Sequence, residues 1–230
     1  MSEAKQPQTL QTDNIAGLLF DLDGTLLDTH DIILSSMRYV INDISGQNLG
    51  DEVLMRGVGT PLFDQMLFFA QGDSEKAREL TEAYREHNKA VHDQQIKSFP
   101  DTISALKRFS ALNLPMGIVT SKRHALAKRG LDMTGLSPYF SVLIGSDDTD
   151  LHKPNPAPVL YGCDLLKLDP TQVLYIGDSP FDIKAGSGAG CQTIAALWGM
   201  FSEDELRAQN PTYTCAHLSD LADVLECQDD

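Results

Sequence analysis

Five short apolar runs, each bounded by turn residues, recur along the chain at 17–20, 116–119, 142–144, 173–176 and 193–197. Several are rich in β-branched residues, as expected of strands buried on both faces. Helix-like stretches lie between them at 102–112, 124–134, 157–166 and 181–188. Strand–helix alternation predicts an α/β fold, a doubly wound (Rossmann-like) parallel sheet covered by helices. Ligands of such folds bind beyond the carboxyl ends of the strands. Four of the five runs lead there into a polar residue: Asp21, Thr120, Ser146 and Asp178.

The alternation breaks once, between about residues 28 and 99, where no strand pattern occurs. The segment reads as several helices, among them 31–43 and 74–94, with a glycine turn at 57–59. A purely helical stretch after the first strand predicts an inserted α-helical cap, hinged near 26–30 and 97–100. The expected organisation is a catalytic core from 15–28 and 99–226, a cap at 29–98 and a polar N-terminal tail at 1–14.

Composition narrows the partners. Eighteen basic and 33 acidic residues give a net charge of −15, with no basic face for nucleic acid. An anionic substrate must therefore be drawn in locally, by a metal or a few placed lysines. No apolar run approaches a membrane span, and the first fourteen residues have no signal core, so a cytoplasmic monomer or homodimer is expected. Cys163, Cys191, Cys215 and Cys227 form no CxxC pair and read as reduced thiols.

The chemistry concentrates in Phe20-Asp21-Leu22-Asp23-Gly24-Thr25. In an extended segment the two carboxylates share one face. The Gly24 turn would aim backbone amides at a common point and form an anion cradle. Two neighbouring carboxylates repel, so they need a cation or must differ in pKa. The pattern suits one as nucleophile beside a metal and the other as acid and base.

This string resembles the first motif of the haloacid dehalogenase superfamily, and three further motifs occur in order after it. Thr120-Ser121 resembles the second, a phosphate-binding hydroxyl; alone it would read as a helix cap. Lys153-Pro154 resembles the third, a lysine that neutralises phosphate and nucleophile. Gly177-Asp178-Ser179-Pro180-Phe181-Asp182 resembles the acidic fourth, although Ser179 and Asp182 also have capping-box spacing. The joint order on a matching strand–helix frame outweighs each separate alternative. The resemblance runs from Ile15 to about Leu225, with the helical insert similar to the superfamily's helical cap class.

The resemblance implies a Mg²⁺-dependent phosphatase acting on a small phosphorylated metabolite through an aspartyl-phosphate. Asp21 is the implied nucleophile, Asp23 the acid and base, and Thr120 and Lys153 the phosphoryl clamp. Leu22, Ser121 and Arg85 join Thr120 and Lys153 in binding substrate. Asp21, Asp23 (through its carbonyl) and Asp178 hold the metal, with Asp182 behind them. The core resembles phosphoglycolate phosphatases, while the cap stretch bearing Arg85, His87 and His92 is similar to the inorganic pyrophosphatase branch. A phosphomutase is disfavoured by Ile33 and Gly177, and a dehalogenase by Asp23. A receiver-type phosphoaspartate domain is disfavoured by the helical insertion.

Overall fold

The computed structural model describes residues 10–227. Six parallel strands form one sheet in the order β3-β2-β1-β4-β5-β6. They are β1 (Gly17–Phe20), β2 (Met116–Val119), β3 (Val142–Ile144), β4 (Val173–Gly177), β5 (Gln192–Ala196) and β6 (Tyr213–Cys215). The first five match the apolar runs of the sequence to within a residue at each end. The sixth has no such run, because only Cys215 of its three residues is buried. Central β1 pairs with both β2 and β4, so Phe20 sits opposite Ile118 and Ile176. This order is that of the doubly wound dinucleotide-binding folds, whose ligand crevice opens where the strand order reverses.

Successive residues of a strand face opposite layers. Leu18 and Phe20 of β1 pack with α5 (Thr102–Ala111), α6 (His124–Met133) and α10 (Leu218–Glu226), through Phe109, Leu131 and Leu221. Leu19 faces the other layer, made by α7 (Ala157–Leu166) and α8 (Pro180–Ala189), through Val159, Cys163 and Ala185. A short helix α9 (Glu203–Arg207) precedes β6. The expected tail at 1–14 falls mostly outside the described residues, but its end is not loose. Leu10 is buried in the main core, and the Gln11 amide donates to Gln192 Oε1 at 3.0 Å.

Between β1 and α5 lies the helical cap. It contains α1 (His30–Met37), α2 (Asp51–Met55), α3 (Leu62–Phe69) and the long α4 (Ser74–Gln95). Asp73 caps α4 by accepting from the amides of Glu75 and Lys76. Where the sequence predicts one helix across 31–43, α1 passes into a π-type turn over Arg38–Ile44. Ser35 and Ser36 just before it donate to the Ile32 carbonyl, a back-bond that loosens a helix. These helices bury a cluster of their own, including Met37, Ile41, Leu54, Met66 and Leu80, joined from the core by Met200. Two chain crossings tie cap to core, and they pair with each other. Asp28 N donates to Lys97 O at 2.9 Å, Phe99 N donates to Leu26 O at 3.1 Å, and Lys97 forms an ion pair with Asp28.

Phe109 is fully buried, with its ring 6.2 Å from that of Phe20. Phe109→Ala should cost about 3–5 kcal/mol of unfolding free energy. Urea denaturation checks this, and a loss under about 1 kcal/mol would remove that face of α5 from the core.

Candidate functional site

The sheet brings the ends of β1, β2 and β4 side by side, and with them Asp21, Thr120 and Asp178. All three are buried. Asp21 N donates to Ile176 O at 2.8 Å and Thr120 N to Ile144 O at 2.9 Å, so strand pairing itself fixes both residues. After Asp21 the chain folds back tightly. The amides of Leu26 and Leu27 donate to Leu22 O, and that of Gly24 to Leu27 O. Gly24 has φ +82°, and a Cβ there would lie 2.2 Å from Asp178 Oδ2, so only glycine fits.

That geometry narrows the anion cradle expected at Gly24, whose amide is consumed in the turn. Among the described residues the amides of Leu22 and Asp23 have no protein acceptor. Leu22 can therefore meet a ligand only through its backbone, because its side chain lies in the core.

Lys153 is the centre of the arrangement. Its buried Nζ donates to Asp21 Oδ1 at 2.7 Å, Asp182 Oδ1 at 2.6 Å and Val119 O at 3.3 Å. The Tyr175 hydroxyl stands 3.2 Å from Asp182 Oδ1. Asp182 also completes the capping box of α8: Ser179 N donates to its Oδ2 at 3.1 Å. The helix cap and the contact with Lys153 thus coexist. Asp178 is held separately, by Thr25 Oγ1 on one oxygen at 3.1 Å and Met200 N on the other at 2.8 Å.

Oxygens of Asp21, Asp178 and Asp182 lie within 4.8 Å of one another. Burial pushes the Asp21 carboxyl up to about 7, against the pull of Lys153. Burial, then the charges of Asp21 and Asp182, raises Asp178 well above the usual carboxylate range. Burial also opposes the Lys153 charge, but Asp182 and Asp21 outweigh it and hold the ammonium protonated. Were all three carboxylates ionised beside the one lysine, an excess of two negative charges would result, which burial and mutual repulsion oppose until a cation offsets it. Hard oxygen donors with that excess fit a divalent cation such as magnesium.

A cavity of about 390 Å³ opens above these groups, between core and cap. Asp21, Asp23 and Thr120 lie on its core side, and Tyr84, Arg85 and Asn88 on its cap side. Thr120 is not a helix cap: α6 starts later, with Arg123 at its N-cap, and Thr120 Oγ1 accepts from Lys122 N. The Ser121 hydroxyl is engaged, donating to the Gly59 carbonyl of the cap turn at 2.6 Å. Arg85 lies on the rim in an ion pair with Glu82. His87 faces the cap interior instead, stacked on Tyr39 and 3.2 Å from Ser36 Oγ. His92 is buried against Gly130 of α6, and its Nε2 has no partner among the described residues.

Two features of the site are not evident from the sequence. Asp23, expected among crowding carboxylates, accepts at its Oδ1 from Lys122 Nζ at 2.7 Å. The cap face over the site includes Tyr84 and Asn88, spaced i, i+4 on α4, beside the expected Arg85, while His87 and His92 do not line the cavity. The spacing is visible in the sequence; the side of α4 that turns inward is not.

The chain is similar to known proteins in sequence and fold. The family described as haloacid dehalogenase-like hydrolase matches residues 18–196. A protein of Caldanaerobacter subterraneus, named as a candidate pyrophosphatase PpaX, is 35% identical over 94% of this chain and 97% of its own length. The pyrophosphatase PpaX of Oceanobacillus iheyensis is 32% identical over 92% of this chain and 97% of its own. Among solved structures, a haloacid dehalogenase-like hydrolase from Bacteroides fragilis superposes with a TM-score of 0.84 at 26% identity, covering 90% of this chain and 99% of that one. With the family matched over most of the chain and relatives above 30% identity along nearly its whole length, the chain belongs to the haloacid dehalogenase-like hydrolases, as a phosphatase of that superfamily.

Proposed function

We propose that this chain is a magnesium-dependent phosphohydrolase for small phosphate compounds whose leaving group is itself anionic, phosphoglycolate-like, acting through an aspartyl-phosphate on Asp21. The observation that carries the reading is Lys153 shared by Asp21 and Asp182 beside Asp178, beneath a cavity of about 390 Å³. Residues 15–28 and 99–226 would act as the catalytic core, and 29–98 as the lid.

Asp21 and Asp178, with the Asp23 carbonyl, would hold the magnesium ion. Asp182 would stand behind them, since Lys153, Tyr175 and Ser179 occupy its oxygens. When bound, the metal supplies positive charge that lets a phosphate dianion approach a carboxylate. Asp21 attacks phosphorus in line: an Asp21 oxygen–phosphorus bond forms as the bond to the leaving oxygen breaks. Thr120 and the amides of Leu22 and Asp23 hold the phosphoryl oxygens as charge develops, and the positive charge of Lys153 offsets the repulsion between phosphate and Asp21. Asp23 gives the leaving oxygen its proton, then takes one from the water that cleaves the aspartyl-phosphate, releasing phosphate and restoring Asp21.

Inorganic pyrophosphate is the second reading, favoured by the names of the relatives above 30% identity. Phosphate and glycolate are both small anionic leaving groups, and Arg85 and Lys122 on the cavity wall would offset their charge.

Three outcomes are expected. The first concerns metal and stability. A carboxyl raised by burial stabilises the fold below its unfolded pKa, and that contribution is lost as pH rises through the folded value. Asp178 is such a group. Without metal at pH 8, Asp178→Asn should therefore melt higher than wild type, at about 2–4 °C per kcal/mol for a chain of this size. Mg²⁺ should stabilise wild type and not the variant. A thermal melt in EDTA and in Mg²⁺ reads both, and a variant that melts lower in EDTA would contradict the charge argument.

The second separates the two aspartates. Asp21→Asn should lose several orders of magnitude in phosphatase activity with its fold intact. Asp23→Asn should slow the first step far more for an alkyl phosphate than for p-nitrophenyl phosphate, whose leaving group needs no proton. Rapid-quench measurement of leaving-group release decides it, since the alcohol or phenol departs in the first step and phosphate only in the second; equal first-step losses would take Asp23 out of the general-acid role.

The third concerns choice of substrate. Phosphoglycolate or pyrophosphate should exceed glucose 1-phosphate and glucose 6-phosphate in kcat/KM by at least about tenfold, roughly 1.4 kcal/mol. Arg85→Ala should erode that preference. Steady-state rates on the four substrates test it, and a clear preference for either sugar phosphate would overturn the small-anion assignment.

A further inference from the structure

We infer that Lys122 is the specificity-determining residue that receives the negative charge of the leaving group. The inference rests on the phosphohydrolase reading above and names the group that makes its substrate class.

The site contains two lysine–carboxylate pairs with different surroundings. Lys153 lies at the bottom, its side chain 2% exposed and all three N–H bonds directed at protein oxygens. Lys122 meets Asp23 instead, with its side chain 11% exposed, and both residues line the cavity. An ammonium has three donors. One of those on Lys122 goes to Asp23, and the other two have no protein acceptor among the described residues.

Position gives this pair its meaning. Asp21 attacks from one side of phosphorus, and Asp23 protonates the oxygen that departs on the other. A cation 2.7 Å from the Asp23 carboxylate is therefore next to the leaving oxygen, not the transferred phosphoryl group. Its backbone is anchored to the phosphoryl side: Lys122 N donates to Thr120 Oγ1 at 3.2 Å, and Lys122 O accepts from Ser146 N at 2.9 Å. Lys122 thus has a fixed root, a cavity-facing head and unused donors.

Beside this pair the cap presents neutral groups. Tyr84 is near enough for the Asp23 charge, after burial, to raise its phenol, and His92 near enough for Lys122, after burial, to lower its imidazole. Asn88 Nδ2 lies 3.5 Å from the Tyr84 hydroxyl and lines the same wall. The remaining cations of the wall are worse placed. Arg85 turns to Glu82, and Lys89 and Arg123 are solvent-exposed. A carboxylate or phosphate on the leaving group would gain charge-assisted hydrogen bonds from Lys122. A neutral alkyl group would gain none, and would leave that ammonium facing unfilled space.

The test compares wild type, Lys122→Met and Lys122→Arg in Mg²⁺ on pyrophosphate, phosphoglycolate and ethyl phosphate. Ethyl phosphate offers a neutral leaving group of similar size to glycolate. The ratio of kcat/KM for the better anion to that for ethyl phosphate should fall ten- to a hundredfold in Lys122→Met, the loss expected of one charge-assisted hydrogen bond. Lys122→Arg should recover part of it. A role confined to holding the loop would lower all three substrates alike, and an unchanged ratio would overturn the inference while leaving the phosphohydrolase assignment in place. A wild type with no preference for either anion would overturn the anionic substrate class, and the inference with it. If Lys122→Met does not melt cooperatively, Lys122→Gln is read by the same ratio.

Discussion

The constraint on which this structure turns is the burial of three carboxylates around one ammonium. An uncompensated buried charge is among the most expensive things a fold can contain. Asp21, Lys153 and Asp182 come from three separate pieces of chain: the end of β1, the segment after β3 and the first turn of α8. Their ion pairs form only if those pieces converge. Packing on both faces of the sheet supplies that convergence, and Lys153 makes it tolerable for two of the carboxylates. Asp178 has only a hydroxyl and a backbone amide. The residual negative charge is a cost to the folded state in the absence of a cation and the means of attracting one, the usual trade between stability and activity at a functional site.

Most of the core is legible in the sequence for the same reason that it is stable. Strands buried on both faces have to be continuous apolar runs, and a parallel sheet delivers the residue after each run to the same edge. Asp21, Thr120 and Asp178 can therefore be assigned to one edge from the sequence alone. β6 cannot, since an edge strand of three residues with one buried side chain leaves no such run. The capping box at Ser179 and the Lys153 contact of Asp182 look like alternatives in the sequence. They are compatible because a carboxylate has two oxygens, each free to take its own donors.

The cap is less legible. Its existence is implied by the missing strands, but α4 is polar along most of its length, and an amphipathic helix announces its buried face only through apolar residues. Apolar Ala77 and Leu80 mark the buried face of its first half, but in its second half the buried positions are the polar Asn88 and His92. Moving one position along a helix turns the side chain by about 100°, so neighbours such as Glu86 and His87 fall away from the cavity that Tyr84, Arg85 and Asn88 line. Lys122 escapes notice for a different reason. Two residues past Thr120 in a loop, it carries no periodicity, and only the folded path of that loop brings it to Asp23.

Cap and core each have their own hydrophobic cluster, with Met200 reaching across between them. The polar ties between them are few: the paired hinge segments, Ser121 to Gly59, and Arg129 to Asp93, whose side chains are substantially exposed. Exposed ion pairs contribute about 0–1 kcal/mol, and one hydrogen bond about 0.5–1.5 kcal/mol. Swinging the cap away therefore breaks little that the protein supplies on its own. On the function proposed, a bound ligand would tip the balance towards closure, and a chain of net charge −15 repels an anion except where cations are concentrated. The cavity is such a place, with Lys153 beneath it and Lys122 and Arg85 on its core and cap walls. On that proposed function, a substrate with charge at both ends would be attracted by the Lys153 charge at its phosphoryl group and would meet the upper cations with its leaving group, bridging cap and core. A substrate charged at one end engages only the core and contributes nothing to closing the lid. Selectivity and closure then have one physical origin, the placement of charge along the axis from Asp21 through the departing oxygen to the cap.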